Sequence, residues 1–135
     1  MPDTKTIRGF LIDPENNIAE ERTIEKSLDS YYATLRCSCI DIVSRVIGGE
    51  CYDIICDDEG LLKDEPYVAA VDHYGNVAFV GAIFLVNYDG GEDVTDLSDD
   101  DIANLSAHLQ GVWVIRRAPG GSRRVHVSHL LYGVC

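Results

Sequence analysis

Four sets of residues in this chain have side chains able to do chemistry. Cysteines at 37, 39, 51 and 56 offer thiolates, and four soft ligands converging on one point would hold zinc. Asp57-Asp58-Glu59, with Asp53 close by, offers clustered carboxylate oxygens of the kind hard cations require. Histidines at 73, 108, 126 and 129 could serve a nucleophile as base. Finally, Arg116, Arg117, Arg123 and Arg124 offer guanidinium forks for phosphate or carboxylate.

Weighed against local structure, most of these lose force. Two β-branched runs flank Gly48-Gly49, the pattern of a two-residue hairpin, which pairs Val43 with Ile54 and Arg45 with Tyr52. In that register Cys39 and Cys56 share one face and Cys51 points through the other, so four thiolates do not meet. Small, buried, inert thiols are the expectation. Alternation also splits Asp57, Asp58 and Glu59 between faces, and a solvated strand end is the plainer reading. No nucleophile elbow accompanies the histidines, and none of the Gly-Gly pairs precedes the Lys-Ser/Thr of a phosphate-binding loop. The sequence therefore argues against an enzyme and gives no ground for a cofactor or metal.

Charge is the loudest signal. The 135 residues carry 11 Lys+Arg against 23 Asp+Glu, a net −12. All 23 acids fall in residues 1–110 with seven of the basic groups, a net −16, whereas residues 111–135 hold four arginines and no acid. Such a body repels nucleic acid and anionic membranes. The division suggests an acidic domain over 1–110 with a basic extension, 111–135, packed on it. Against phosphate binding, the basic tail has an acidic body, its own or a second copy's, on which to dock, which leaves a homodimer open.

The elements that must position these groups follow from periodicity. Thr6 to Asp13 and Ile18 to Ile24 read as strands around a turn at Asp13-Pro14-Glu15, the second an edge strand because its charges are dense. Ser27 caps a short helix, about 27 to 36, whose apolar face is Leu28, Tyr31, Tyr32 and Leu35. Val68 to Asp72 and Val77 to Val86 read as a hairpin around His73-Tyr74-Gly75-Asn76, the second arm being a central strand apolar on both faces. Ser98 and Asp101 form a capping box, Leu97 staples onto Ile102, and Asp99, Asp100 and Asp101 face the positive end of the dipole of a helix that Gly111 ends. Gly111 to Ala118 and Ser122 to Leu131 would form a hairpin around Pro119-Gly120-Gly121, with Arg116 facing Arg123. The fold expected is α+β: a mainly antiparallel sheet of five or six strands, two helices packed on it, and a basic C-terminal hairpin or edge strand.

Five cysteines without a secretory leader predict reduced thiols, and no apolar run reaches the roughly 18 residues of a membrane span, so a soluble, cytoplasmic protein is expected.

Ile24-Glu-Lys-Ser-Leu28, Ile47-Gly-Gly, Ile55-Cys-Asp-Asp-Glu-Gly-Leu61, Pro66, Gly81-Ala-Ile-Phe84 and Leu97-Ser-Asp-Asp-Asp-Ile102 occur here in the order of one family. Over about residues 5–109 the chain resembles this domain of unknown function, common in phages, plasmids and integrated elements of anaerobic bacteria. The resemblance implies a genomic setting and no chemistry. Proteins of such a setting include acidic mimics of DNA that occupy a host defence protein. Within it, the candidate interaction residues are Asp57, Asp58, Glu59, Asp99, Asp100 and Asp101, with a protein partner and no enzymatic step. The alternative is a small nucleic-acid- or nucleotide-binding module using Arg116, Arg117, Arg123 and Arg124.

Overall fold

The computed structural model describes residues 5–16, 18–59, 68–72, 77–87, 94–118 and 121–131, with side chains for 5–16, 18–59, 69, 79–87 and 94–108. Among these residues nine strands and two helices follow in the order β1 (Thr6–Asp13), β2 (Ile18–Glu25), α1 (Leu28–Leu35), β3 (Ile40–Ile47), β4 (Glu50–Asp57), β5 (Val68–Asp72), β6 (Val77–Val80), β7 (Ile83–Asn87), α2 (Asp99–Ala107), β8 (Leu109–Ala118) and β9 (Gly121–Leu131). They make an α+β fold with a five-stranded antiparallel sheet, order β2-β1-β7-β4-β3, and a four-stranded sheet, order β6-β5-β9-β8.

The β3–β4 hairpin has the expected register: Val43 pairs with Ile54, Arg45 with Tyr52 and Ile47 with Glu50. Its turn places Gly48 at φ 61° and Gly49 at φ 85°, both left-handed as a two-residue hairpin of this twist needs. β2 is an edge strand, largely exposed, as its dense charges indicated.

In the large sheet β7 is central, and Ile83, Phe84, Leu85 and Val86 are all buried. Its neighbours β1 and β4 supply Ile12, Ile54 and Ile55, so both faces need cover. On one face lie Leu97 and Leu105 beside α2, together with Ala69 and Phe79 from the small sheet. On the other lie Tyr31 and Leu35 of α1, against Ile7, Leu11, Ile55, Phe84 and Val86.

Three expectations are corrected. Val77 to Val86 is not one arm of a hairpin. Gly81, at φ 81°, breaks it, and β6 pairs with β5 in the small sheet while β7 joins the large one. An L-residue resists that φ, so the glycine is where the chain changes sheets. Secondly, α2 ends at Ala107 with His108 as its C-cap and β8 already begun at Leu109, so Gly111 lies within a strand. Thirdly, Leu28 is 57% exposed and contributes nothing to the buried face of α1. The turns expected at 73–76 and at Pro119-Gly120, and Pro66, lie outside the described residues. β8 and β9 do pair, Arg116 opposite Arg123, and β9 also pairs in parallel with β5, which puts the arginine hairpin in a sheet with a strand of the acidic portion.

An ion pair with one buried partner fixes α1. Asp13, 2% exposed at the end of β1, accepts from Arg36 Nη1 and Nη2, both at 3.0 Å, and from Asn16 Nδ2 at 2.9 Å. Arg36 caps α1 in the left-handed conformation, so this bond ties the helix end to the β1–β2 turn. Burial alone would push the Asp13 carboxyl up; the Arg36 guanidinium and the Asn16 amide outweigh it and hold it below the usual carboxylate range. Its contribution to stability is fully present above the ordinary aspartate value and is lost as pH falls through the lowered value of the folded protein. We expect Arg36→Gln to cost about 1–2 kcal/mol, since Arg36 is partly screened by solvent, and to abolish that acid limb. Urea midpoints measured from neutral pH down to the onset of acid unfolding check both.

Candidate functional site

The six candidate acids separate into two groups. α2 crosses one end of the large sheet, where Tyr52 Oη donates to Asp101 Oδ1 at 3.3 Å. Asp57 lies at the far end of the same strand, five residues on, roughly 17 Å at the rise of an extended chain. Asp57-Asp58-Glu59 and Asp99-Asp100-Asp101 therefore occupy opposite ends of the sheet.

At the α2 end, Asp96, Asp99 and Asp101 are each bonded. Ser98 Oγ accepts from Asp101 N at 3.1 Å, and Asp101 Oδ2 accepts from Ser98 N at 3.0 Å, the reciprocal box the sequence indicated. Asp99 accepts from Arg8 Nη2 at 2.7 Å, and Arg8 also holds Glu21. Those two carboxylates raise the Arg8 guanidinium further, Asp99 having the larger effect. Asp96 Oδ1 accepts from Arg8 N at 2.8 Å, Leu97 N donates to Arg8 O and Asn87 N to Thr95 O. The 95–97 segment is thus bonded to both β1 and β7 just before α2 begins. Glu25, paired with Thr6, and Glu50, paired with Ile47, come from strand ends at this same level. Glu25, Glu50, Asp96, Asp99 and Asp100 are all exposed. Asp100, Glu25 and Glu50 make no ion pair with a described residue.

At the other end, Asp57 Oδ1 accepts from Glu59 N at 2.9 Å, a local turn bond, and Asp58 and Glu59 point to solvent. Among the described residues no group of three or more His, Cys, Asp or Glu is placed to hold a metal ion.

The thiols differ from one another. Cys51 is disulfide-bonded, which corrects the expectation of reduced cysteines throughout, while Cys39 and Cys56 are free thiols. Burial, with Asp41, Asp57 and Asp58 nearby, pushes the Cys56 thiol up to about 12, and its Sγ–H points to Asp41 O at 3.6 Å. A group held protonated in this way is neither a nucleophile nor a ligand at neutral pH.

A polar cluster beneath α2 was not read from the sequence. Asn104 Nδ2 donates to Tyr52 Oη at 2.8 Å and to Ile47 O at 3.0 Å, and His108 Nδ1 lies 2.8 Å from Asn104 O. It fastens α2 to the β3–β4 hairpin. Burial, chiefly, pushes the Tyr52 phenol up to about 12, so it stays a donor. The available signal was Asp101, Asn104 and His108 recurring at helical spacing beside the apolar stripe.

Of the tail arginines only backbone register is described. Arg116 faces Arg123, and the pairs Ile115–Arg124 and Arg117–Ser122 flank it. All four arginines thus sit on three consecutive rungs of β8 and β9.

Fold and site together define a small acidic α+β domain. A family model, domain of unknown function (DUF3846), matches residues 7–110, and the chain belongs to that family. The match stops as β8 begins, leaving the arginine hairpin outside. No curated protein and no solved structure matches the chain. Among the described residues no helix is long and apolar enough to cross a membrane.

Thiol reactivity should fall into distinct classes. Cys39, exposed, should react with a soluble disulfide reagent in the native protein, whereas Cys56 should react only on unfolding. Mass-spectrometric mapping of labelled peptides in buffer and in urea distinguishes them; prompt native labelling of Cys56 would contradict its burial.

Proposed function

We propose that the chain is a protein-interaction module of a phage or mobile element, acting through its acidic surface and not by catalysis. The observation that carries this reading is the α2 end of the large sheet. There the exposed carboxylates of Glu25, Glu50, Asp96, Asp99 and Asp100 come from separate segments that meet at one level of the sheet. A rigid array of anions suits a protein surface that otherwise holds nucleic-acid phosphates, because the partner's arginines and lysines lose little by exchanging one for the other. The partner class is a host nucleic-acid-binding protein, such as a defence nuclease or modification enzyme, and the setting is cytoplasmic. Asp57, Asp58 and Glu59 would extend the contact to a partner large enough to span the sheet.

A second reading rests on a separate observation, the three arginine-bearing rungs of β8 and β9. Two arginines directly opposite repel, and a phosphate between them relieves the repulsion. The chain would then bind nucleic acid itself.

Competition separates the two. The tagged full chain is used to capture partners from host lysate, and any captured nucleic-acid-binding protein is then titrated with DNA in the presence of the chain. Mimicry predicts displacement of DNA, with Glu50→Lys/Asp100→Lys losing most of the effect while folding normally. Direct, steeply salt-dependent binding of DNA by the chain alone, abolished by Arg116→Ala/Arg123→Ala, would favour the second reading. Absence of any captured nucleic-acid-binding protein would count against mimicry.

A further inference from the structure

The two edges of the large sheet are built differently. β2 carries Glu20, Glu21, Arg22 and Glu25 along eight residues and is largely exposed, the charged edge that discourages pairing with another chain. β3 is also eight residues long and is the other edge, pairing among the described residues with β4 alone although β9 of the small sheet comes near it, yet it has only two charges, Asp41 and Arg45, of opposite sign. Between them Ile42 is 47% exposed, one of two large apolar side chains so exposed among the described residues. Neither proline nor bulge interrupts β3, whose register with β4 is continuous from Ile40 to Ile47. Such an edge is a template for a further strand.

We infer that β3 is an interface between two copies of this chain, joined antiparallel about a two-fold axis at Val43. An isologous contact must be self-complementary, and the sequence of β3 is so in this register. Asp41 faces the second copy's Arg45, and Arg45 faces its Asp41, so both charges are matched at once. Centring the axis on Asp41 or on Arg45 instead puts like charges directly opposite. Ile42 then lies opposite Ser44, with Ile42 and Val46 of the other copy as its diagonal neighbours on the same face, which covers the exposed side chain. In the single chain two backbone groups of this edge are held by side chains: Ser44 O accepts from Arg45 Nη1 at 2.8 Å, Arg45 lying 5.9 Å from the Phe79 ring centroid, and Ile42 N donates to Asp41 Oδ1 at 2.9 Å. Pairing exchanges these for backbone bonds between Ile42 and Ser44 of the two copies and releases Asp41 and Arg45 to each other. Two five-stranded sheets would become one of ten. This inference does not depend on the acidic end, which lies on other elements.

Sedimentation of the full chain over a micromolar dilution series tests it. Wild type should dimerise. Asp41→Lys, a change at an exposed side chain, should weaken the dimer by about tenfold or more, because like charges then face each other twice. Mixed with Arg45→Glu, the D41K chain should form a heterodimer while each variant alone stays largely monomeric, since the mixture restores two opposite-charge pairs. If R45E does not fold, Ile42→Lys serves in its place as a second weakening variant. A wild type that remains monomeric across the series, a D41K dimer of unchanged affinity, or folded D41K and R45E that fail to associate would overturn the assignment.

Discussion

The structure is organised by the need to cover β7 on both faces. Four consecutive residues, Ile83 to Val86, are withdrawn from water, and β1 and β4 flank them with further fully buried isoleucines. Removing that apolar surface from water is the main favourable term, and no single layer could supply it. One face is closed by α1, an eight-residue helix too short to persist alone, which the Asp13–Arg36 pair fastens to the β1–β2 turn. The other is closed by α2 and by residues of the small sheet, with the Tyr52–Asn104 bond joining helix to hairpin. Buried polar groups are few, and each described one has a partner. Asp13 has Arg36 and Asn16, and Asp53 accepts from Ser44 Oγ at 2.8 Å.

Covering both faces leaves most of the described acids to the ends and edges of the sheet, with Asp53 inside β4 an exception. Glu20, Glu21 and Glu25 line the β2 edge, Asp99 and Asp100 open α2, and Asp58 and Glu59 follow β4. The same burial suppresses reactivity inside, since Cys56 and Tyr52 are both held protonated. The exposed carboxylates at the periphery, by contrast, are open to solvent.

Much of the fold was legible because its signals are local. Ser98 and Asp101 stand three residues apart in a capping box, and Gly48-Gly49 between β-branched runs sets the register of β3 and β4 to the residue. What the sequence hid depends on distant partners. Val77 to Val86 reads as one apolar strand, and only the demand for two sheets explains why Gly81 divides it. Leu28 has the right helical spacing for the core, yet it stands at the first position of an eight-residue helix that buries only Tyr31 and Leu35 fully. At the candidate site, the acids were found as runs in the chain. Their separation by the length of β4, and the arrival of Glu25 and Glu50 beside α2, follow from strand order, which pattern alone does not reveal. Arg8 joining Asp99 across ninety-one positions is of the same kind.

The central claim is that anions at one end of a rigid sheet are the recognition surface. Carbodiimide labelling of carboxylates, read by mass spectrometry on the free chain and on the chain bound to a captured partner, tests this most directly. Protection concentrated at Glu25, Glu50, Asp96, Asp99 and Asp100, with Glu20 on the β2 edge still labelled, is the result the account predicts. Unchanged labelling at the α2 end in a stable complex would contradict it.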